Sequence, residues 1–68
     1  MENKNKFMIQ IEYLNSNQWL TYGFYHTYAE AISNVSEAAD TYVYGFGDIN
    51  VSHFNGKRWE SVFTIPRW

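Results

Sequence analysis

One segment of helical period lies between two segments of strand period. That arrangement constrains these 68 residues more than any other feature. The central segment opens at TYAE. Thr27 can cap a helix with its hydroxyl, and Glu30, three residues on, can return a hydrogen bond to the cap. Apolar residues follow at Tyr28, Ala31 with Ile32, Val35, and Ala38 with Ala39, the repeat of one helix face. Glu30, Ser33, Asn34, Glu37 and Asp40 take the outer face. The spacing predicts a helix from Tyr28 to about Asp40. Its C-terminal end carries acids, which the helix dipole disfavours there.

Upstream, FMIQIEYL alternates, with Phe7, Ile9, Ile11 and Tyr13 on one face and Gln10 and Glu12 on the other. That is the pattern of a half-buried strand. NSNQ is turn chemistry, and the aromatic run WLTYGFYH is the returning strand. A four-residue loop puts Leu14 opposite Trp19 and sets Leu20, Tyr22 and Phe24 on the face of Phe7, Ile9 and Ile11. A three-residue loop puts Trp19 and Tyr25 there instead. Both faces of the second strand are apolar, so both registers stay open.

Downstream, TYVYGFGD is transitional: Tyr42, Val43 and Tyr44 could start a strand, and Gly45 and Gly47 permit a bend. INVSHF alternates again, with Ile49, Val51 and His53 on one face. Asn55-Gly56 is a hairpin signal. A two-residue turn there would set Val51 opposite Glu60 and bury that carboxylate. A three-residue loop, Phe54-Asn55-Gly56 with Gly56 left-handed, leaves Glu60 in water. The three-residue loop is therefore expected, with Ile49, Val51, Trp59, Ser61 and Phe63 on the core face and Phe54, Lys57 and Arg58 at the tip. Pro66 ends the last strand.

An offset of 40 overlays the two flanks, with Ile9 on Ile49, Asn15 on Asn55 and Trp19 on Trp59. Two aromatic hairpins give such a match by chance; a duplicated hairpin is the alternative. Either way the expected fold is α+β: a small ββαββ domain over residues 7–68, one antiparallel sheet with the helix packed on one face. A polar arm, residues 1–6, precedes it and is expected to fray.

A chain this short buries about 60% of its unfolded surface and is marginally stable. It contains no cysteine, so disulfides and thiolate metal sites are excluded. The compensation is aromatic: three Trp, six Tyr and five Phe, more rings than one small core needs. The formal charge of −2 suits neither a DNA mimic nor a general phosphate binder. The cations are Lys4, Lys6, Lys57, Arg58 and Arg67, and residues 7–56 hold none. The expected surface is two-signed, with an acidic helix side and a basic hairpin tip. No apolar run approaches the length of about 20 residues that a membrane span needs. Gln10 and Glu12 interrupt any signal-peptide core after Lys4 and Lys6. The expected location is the cytoplasm.

Neither His26 nor His53 has metal-ligand spacing, and no nucleophile elbow, phosphate loop or close carboxylate pair is legible. No catalytic residue, cofactor or metal is expected, and the chain is not read as an enzyme. YGFGDINV, Tyr44 to Val51, resembles the sheet-strand motif of RNA-recognition and cold-shock domains at Gly45, Phe46, Gly47 and Ile49. It departs at Tyr44, where a basic residue belongs, and at Asp48, where a base-stacking ring belongs. The resemblance implies a single-stranded nucleic-acid module that stacks bases on sheet aromatics.

Protein binding accounts for more of the features, because interfaces favour Tyr, Trp, Phe and Arg. The expected contact residues are Phe54, Lys57 and Arg58 with Arg67 and Trp68, joined by an exposed Tyr25. Glu30, Glu37 and Asp40 form a second candidate surface. In size and composition the chain is similar to the short, cysteine-free early proteins of bacteriophages. Many of those inhibit host enzymes or defence complexes, the anti-CRISPR proteins among them. The likeness implies an inhibitor that binds a larger host protein or nucleoprotein. A homodimer is the third reading.

Overall fold

The computed structural model describes residues 6–66 as four strands and one helix: β1 (Phe7–Tyr13), β2 (Trp19–Tyr25), α1 (Tyr28–Thr41), β3 (Phe46–Phe54) and β4 (Trp59–Ile65). The strands form one sheet in the order β2-β1-β3-β4, antiparallel throughout. This is the expected ββαββ. Most of the N-terminal arm, with Lys4, and both Arg67 and Trp68 lie outside the described residues. Lys6 is described, and its carbonyl accepts a hydrogen bond from the Phe54 N–H at 2.8 Å.

Helix α1 begins at the expected cap. Thr27 has extended backbone, φ −127° and ψ 159°, and its hydroxyl oxygen accepts from the Glu30 N–H at 3.2 Å. The return bond differs from expectation. The Glu30 carboxylate accepts from the Thr27 hydroxyl, at 3.2 Å. The helix ends one residue beyond Asp40, where the Tyr42 N–H reaches the Ala38 carbonyl at 3.0 Å.

The core is a single layer between α1 and the sheet. Ile9 and Ile11 on β1, Ile49 and Val51 on β3, and Ala31 and Ala38 on α1 are fully buried. The two alanines let the helix backbone approach the two branched strands closely. Phe7, Tyr22, Tyr25, Phe46, Phe63 and Ile65 close the margins of this cluster. The helix lies over β2, β1 and β3. It reaches toward β4 through Tyr28, whose ring centre is 6.1 Å from that of Phe63.

Each adjacent strand pair contains one register shift, and these decide which side chains see the core. On β2, Tyr22 is the extra residue: Ile9 faces Gly23 while Gln10 faces Thr21. Near the loop Leu20 therefore faces Ile11, and beyond the bulge Tyr25 faces Phe7. The three-residue register holds beyond the bulge; near the loop Trp19 faces Glu12 and not Leu14, so the four-residue register does not form, although Leu20 takes the core side it assigns. The connecting loop is Leu14–Gln18, closed by Tyr13 N–H to Gln18 carbonyl at 2.9 Å, with Asn17 left-handed at φ 55°.

The second hairpin corrects the sequence reading. Phe54 is a strand residue paired with Trp59, and four residues, Asn55–Arg58, join β3 to β4. Gly56, at φ 100°, supplies the left-handed step at the apex. The Asn55 carboxamide oxygen accepts from both the Lys57 and Arg58 N–H groups, at 2.8 and 3.0 Å. Asn55 thus completes a wider turn than the dipeptide alone implies. Val51 faces Phe63 but Ser52 faces Ser61, so Val62 is extra. Phe63 keeps its core position, whereas Trp59 and Ser61 fall on the opposite face. Glu60 pairs with His53 on the helix side yet remains exposed, because the helix does not extend over β4 at that point. Its carboxylate accepts from the Asn55 side-chain amide.

Candidate functional site

The helix covers one face of the sheet and leaves the other open. Alternation places Met8, Gln10 and Glu12 of β1, Trp19, Thr21 and Phe24 of β2, and Asp48, Asn50 and Ser52 of β3 on the open side. Phe54, Trp59, Ser61 and Thr64 follow by their pairing with β3. At one end of this face three rings meet. Trp59 lies 5.4 Å from Phe54 and 5.8 Å from Phe24, centre to centre, with tilted planes. Phe24 and Trp59 come from the two edge strands, so the rings reach toward each other across β1 and β3. A bulge in each strand pair raises the twist that lets the corners of the sheet converge. Met8 sits in the register between Phe24 and Ser52 and is 7% exposed, although no helix covers it. Phe24 itself is 51% exposed.

Every cation among the described residues is at this same end. Lys6 immediately precedes β1, and Lys57 and Arg58 occupy the β3–β4 turn; all three are exposed. His26 and His53 lie at this end as well. The Phe54, Lys57 and Arg58 expected from sequence are therefore brought together. The structure adds Phe24, Trp59 and Lys6. Parity with a three-residue loop assigns Trp59 to the core, and the four-residue turn reverses it. Arg67 and Trp68 lie outside the described residues. Tyr25 is half-buried on the core side.

The middle of the open face is a closed polar network. The Asn50 side-chain amide donates to the Ser61 and Thr64 hydroxyls at 2.6 and 2.9 Å and to the Phe63 carbonyl at 3.3 Å. The Ser52 hydroxyl donates to the Asn50 oxygen at 2.6 Å. Asn50 and Ser52 are 9% and 5% exposed, and their polar groups are satisfied within the chain, as buried polar groups must be.

The other end of the face is acidic. Gly47 and Asp48 together oppose Glu12 at the third bulge. The Glu12 carboxylate accepts from the Asp48 N–H at 3.3 Å. A Cβ on Gly47 would fall 2.7 Å from a Glu12 oxygen and 2.8 Å from a Leu14 methyl, so glycine permits this approach. Trp19 and Leu14, 42% and 49% exposed, stand beside these acids. Phe46, the ring of the motif that resembles RNA-recognition domains, points to the helix side. Its centre is 5.0 Å from those of both Tyr13 and Tyr42. What that stretch contributes to the open face is Asp48 and the internally bonded Asn50.

The second candidate surface is not assembled. Glu30 is engaged at the cap, and Asp40 lies ten residues on, about 15 Å along the axis. Glu37 acts instead on the Tyr22 phenol at the core margin. Burial, then Glu37, pushes the Tyr22 phenol above its ordinary range, and the same two causes raise Tyr25. A raised phenol means the folded chain holds its protons where the unfolded chain has begun to lose them. Their contribution to stability is therefore full below about pH 10 and is lost as pH rises through the folded values. Glu37→Gln is expected to bring the phenolate absorbance transition of Tyr22 and Tyr25 to lower pH. A titration curve that does not move would show that Glu37 has no hold on either phenol.

No group of three or more His, Asp or Glu residues is placed to hold a metal ion among the described residues. Among them, no helix is long and apolar enough to cross a membrane. No protein-family model, curated protein or solved structure matches this chain.

Proposed function

We propose that the chain is a non-enzymatic protein-binding module whose contact surface is the basic, aromatic end of the open sheet face. The observation that carries this reading is the convergence of Phe24, Phe54 and Trp59 with Lys6, Lys57 and Arg58 at one end. Rings and an arginine in a partly desolvated cluster are the composition of interface hot spots. The cations select an acidic partner surface and orient it. The narrower reading, a small inhibitor of a larger host protein, defence complex or nucleoprotein in a bacteriophage setting, adds size and composition to the same surface.

Single-stranded nucleic acid is the rival occupant, since rings and cations also serve base stacking and phosphate contact. Three features favour protein. Phe24 and Trp59 already lie against each other at 5.8 Å, which leaves less free ring face for a base. The ring of the nucleic-acid-like motif, Phe46, is spent on the core. The far end of the face is acidic.

The deciding comparison is capture from a cell extract with the wild-type chain against Phe54→Ala combined with Arg58→Ala. Circular dichroism would confirm that the variant folds. A defined partner held by the wild type and lost by the variant is the expected result, and a variant that retains every partner overturns the surface. A labelled single-stranded oligonucleotide is expected to show no mobility shift at low salt. A shift that disappears as salt is raised would assign the site to nucleic acid instead.

A further inference from the structure

We infer that the open face pairs with the same face of a second copy, in an antiparallel two-fold stack that sets the basic end of each chain over the acidic end of the other. This rests on the open face being a protein-binding surface, and it names the partner.

On β1, β2 and β3 the face is complementary to itself. A two-fold axis lying in the interface and running across the strands lays each strand over its own copy, reversed. On β1 that brings Lys6 over Glu12. On β2 it brings Phe24, 51% exposed, over Trp19, 42% exposed. On β3 the end bearing the Lys57-Arg58 turn comes over Asp48. Each charged group meets its opposite and each exposed ring meets a ring, and the symmetry produces every contact twice. Lys6 over Glu12 centres β1 on Ile9, so Met8 and Gln10 lie over each other's copies, while Thr21 meets its own copy hydroxyl to hydroxyl. Asn50 and Ser52 make no demand on the partner, because their hydrogen bonds close within the chain.

Two other arrangements do worse. An axis along the strands lays β1 over β3 with like ends together and sets Lys6 of one chain against Lys57 and Arg58 of the other. Pairing edge to edge leaves Phe24 and Trp19 in water. Four strands at about 4.8 Å spacing and about 23 Å in length make a face of modest size. The dimer therefore belongs to the smaller, reversible class of interface, with strongly concentration-dependent mass.

Sedimentation equilibrium on the full chain tests this from about 1 μM to about 1 mM, a span suited to a small interface. The expected result is a rise from the single-chain mass of 8.1 kDa toward twice that value. Lys57→Glu with Arg58→Glu makes both ends acidic, and Glu12→Lys with Asp48→Lys makes both ends basic. Each variant alone is expected to associate at least about tenfold more weakly, because like charges then face each other. An equimolar mixture of the two is expected to recover the dimer, since each supplies what the other lacks. Phe24→Asp gives a second route if the Glu12/Asp48 variant fails to fold. It is expected to keep its circular dichroism and lose the dimer.

A wild-type chain that stays at one mass throughout overturns the dimer. Capture of a different acidic partner that depends on Phe54 and Arg58 would still support the binding surface. A dimer indifferent to both Phe24→Asp and the Lys57/Arg58 reversal overturns this geometry.

Discussion

Ile49→Ala is expected to remove a large share of the chain's stability. Ile49 is fully buried on β3, paired on one side with Ile11 and on the other with Ile65, with α1 above. Truncating such a residue removes about 2–5 kcal/mol, because the transfer energy is lost and a cavity remains. A 68-residue domain has a total stability of only about 3–10 kcal/mol to draw on. The core is one layer thick, so the neighbours have little freedom to collapse into the space. Val62→Ala is the control, since Val62 is 46% exposed and lies at a bulge; surface changes of that kind stay within about 0.5 kcal/mol. Thermal unfolding followed by circular dichroism should show a fall of about 10 °C or more for Ile49→Ala, given about 4–8 °C per kcal/mol at this size. Melting within a degree or two of the wild type would mean that the helix and sheet do not close over Ile49 as described.

The second large effect concerns polarity on the open face. Asn50→Val should destabilise by about 1–3 kcal/mol, because it removes the acceptor for the buried Ser52 hydroxyl and the donor to Ser61 and Thr64. The informative partner is Asn50→Val with Ser52→Ala. Removing both halves of a buried hydrogen bond leaves nothing unsatisfied, and valine suits a strand. The double variant should regain most of the loss. Chemical denaturation of the four corners of this cycle measures the coupling. If the double variant is simply the sum of the singles, the Ser52–Asn50 bond contributes nothing, and the network is an accident of proximity.

The parts of this fold legible in the sequence are those set by local chemistry. Thr27, Glu30 and the alanine-bearing repeat after them place the helix to within a residue. Alternation in Phe7–Tyr13 and Ile49–His53 identifies the two central strands and their buried faces correctly. What failed is parity on the edge strands. Parity with a three-residue loop puts Trp59 and Ser61 in the core, whereas the Asn55 side chain extends the turn to Arg58 and the extra Val62 then restores Phe63 to the helix side. Bulges leave no signature in strands whose both faces are apolar, as in WLTYGFY. The contact surface was half legible for the same reason. Phe54, Lys57 and Arg58 are neighbours in sequence and were found together. Phe24 and Lys6 join them through pairing between distant segments, and Trp59 joins them through the four-residue length of the turn.

The strand order has a consequence for how the chain acquires this shape. Each hairpin joins segments that are close in sequence, but the two centre strands meet through pairs as remote as Phe7 with His53. An isolated two-stranded hairpin is at best marginally stable in water. Neither half should therefore persist alone, and the chain commits only when β1 and β3 zip together and the helix, already tethered between them, drops onto Ile9, Ile11, Ile49 and Val51. The closure entropy of that long connection falls on the step that buries most of the apolar surface. The rate of folding is thereby set at the seam between the hairpins, while the rings and charges of the open face remain outside the barrier, free to vary without slowing the chain's route to its native state.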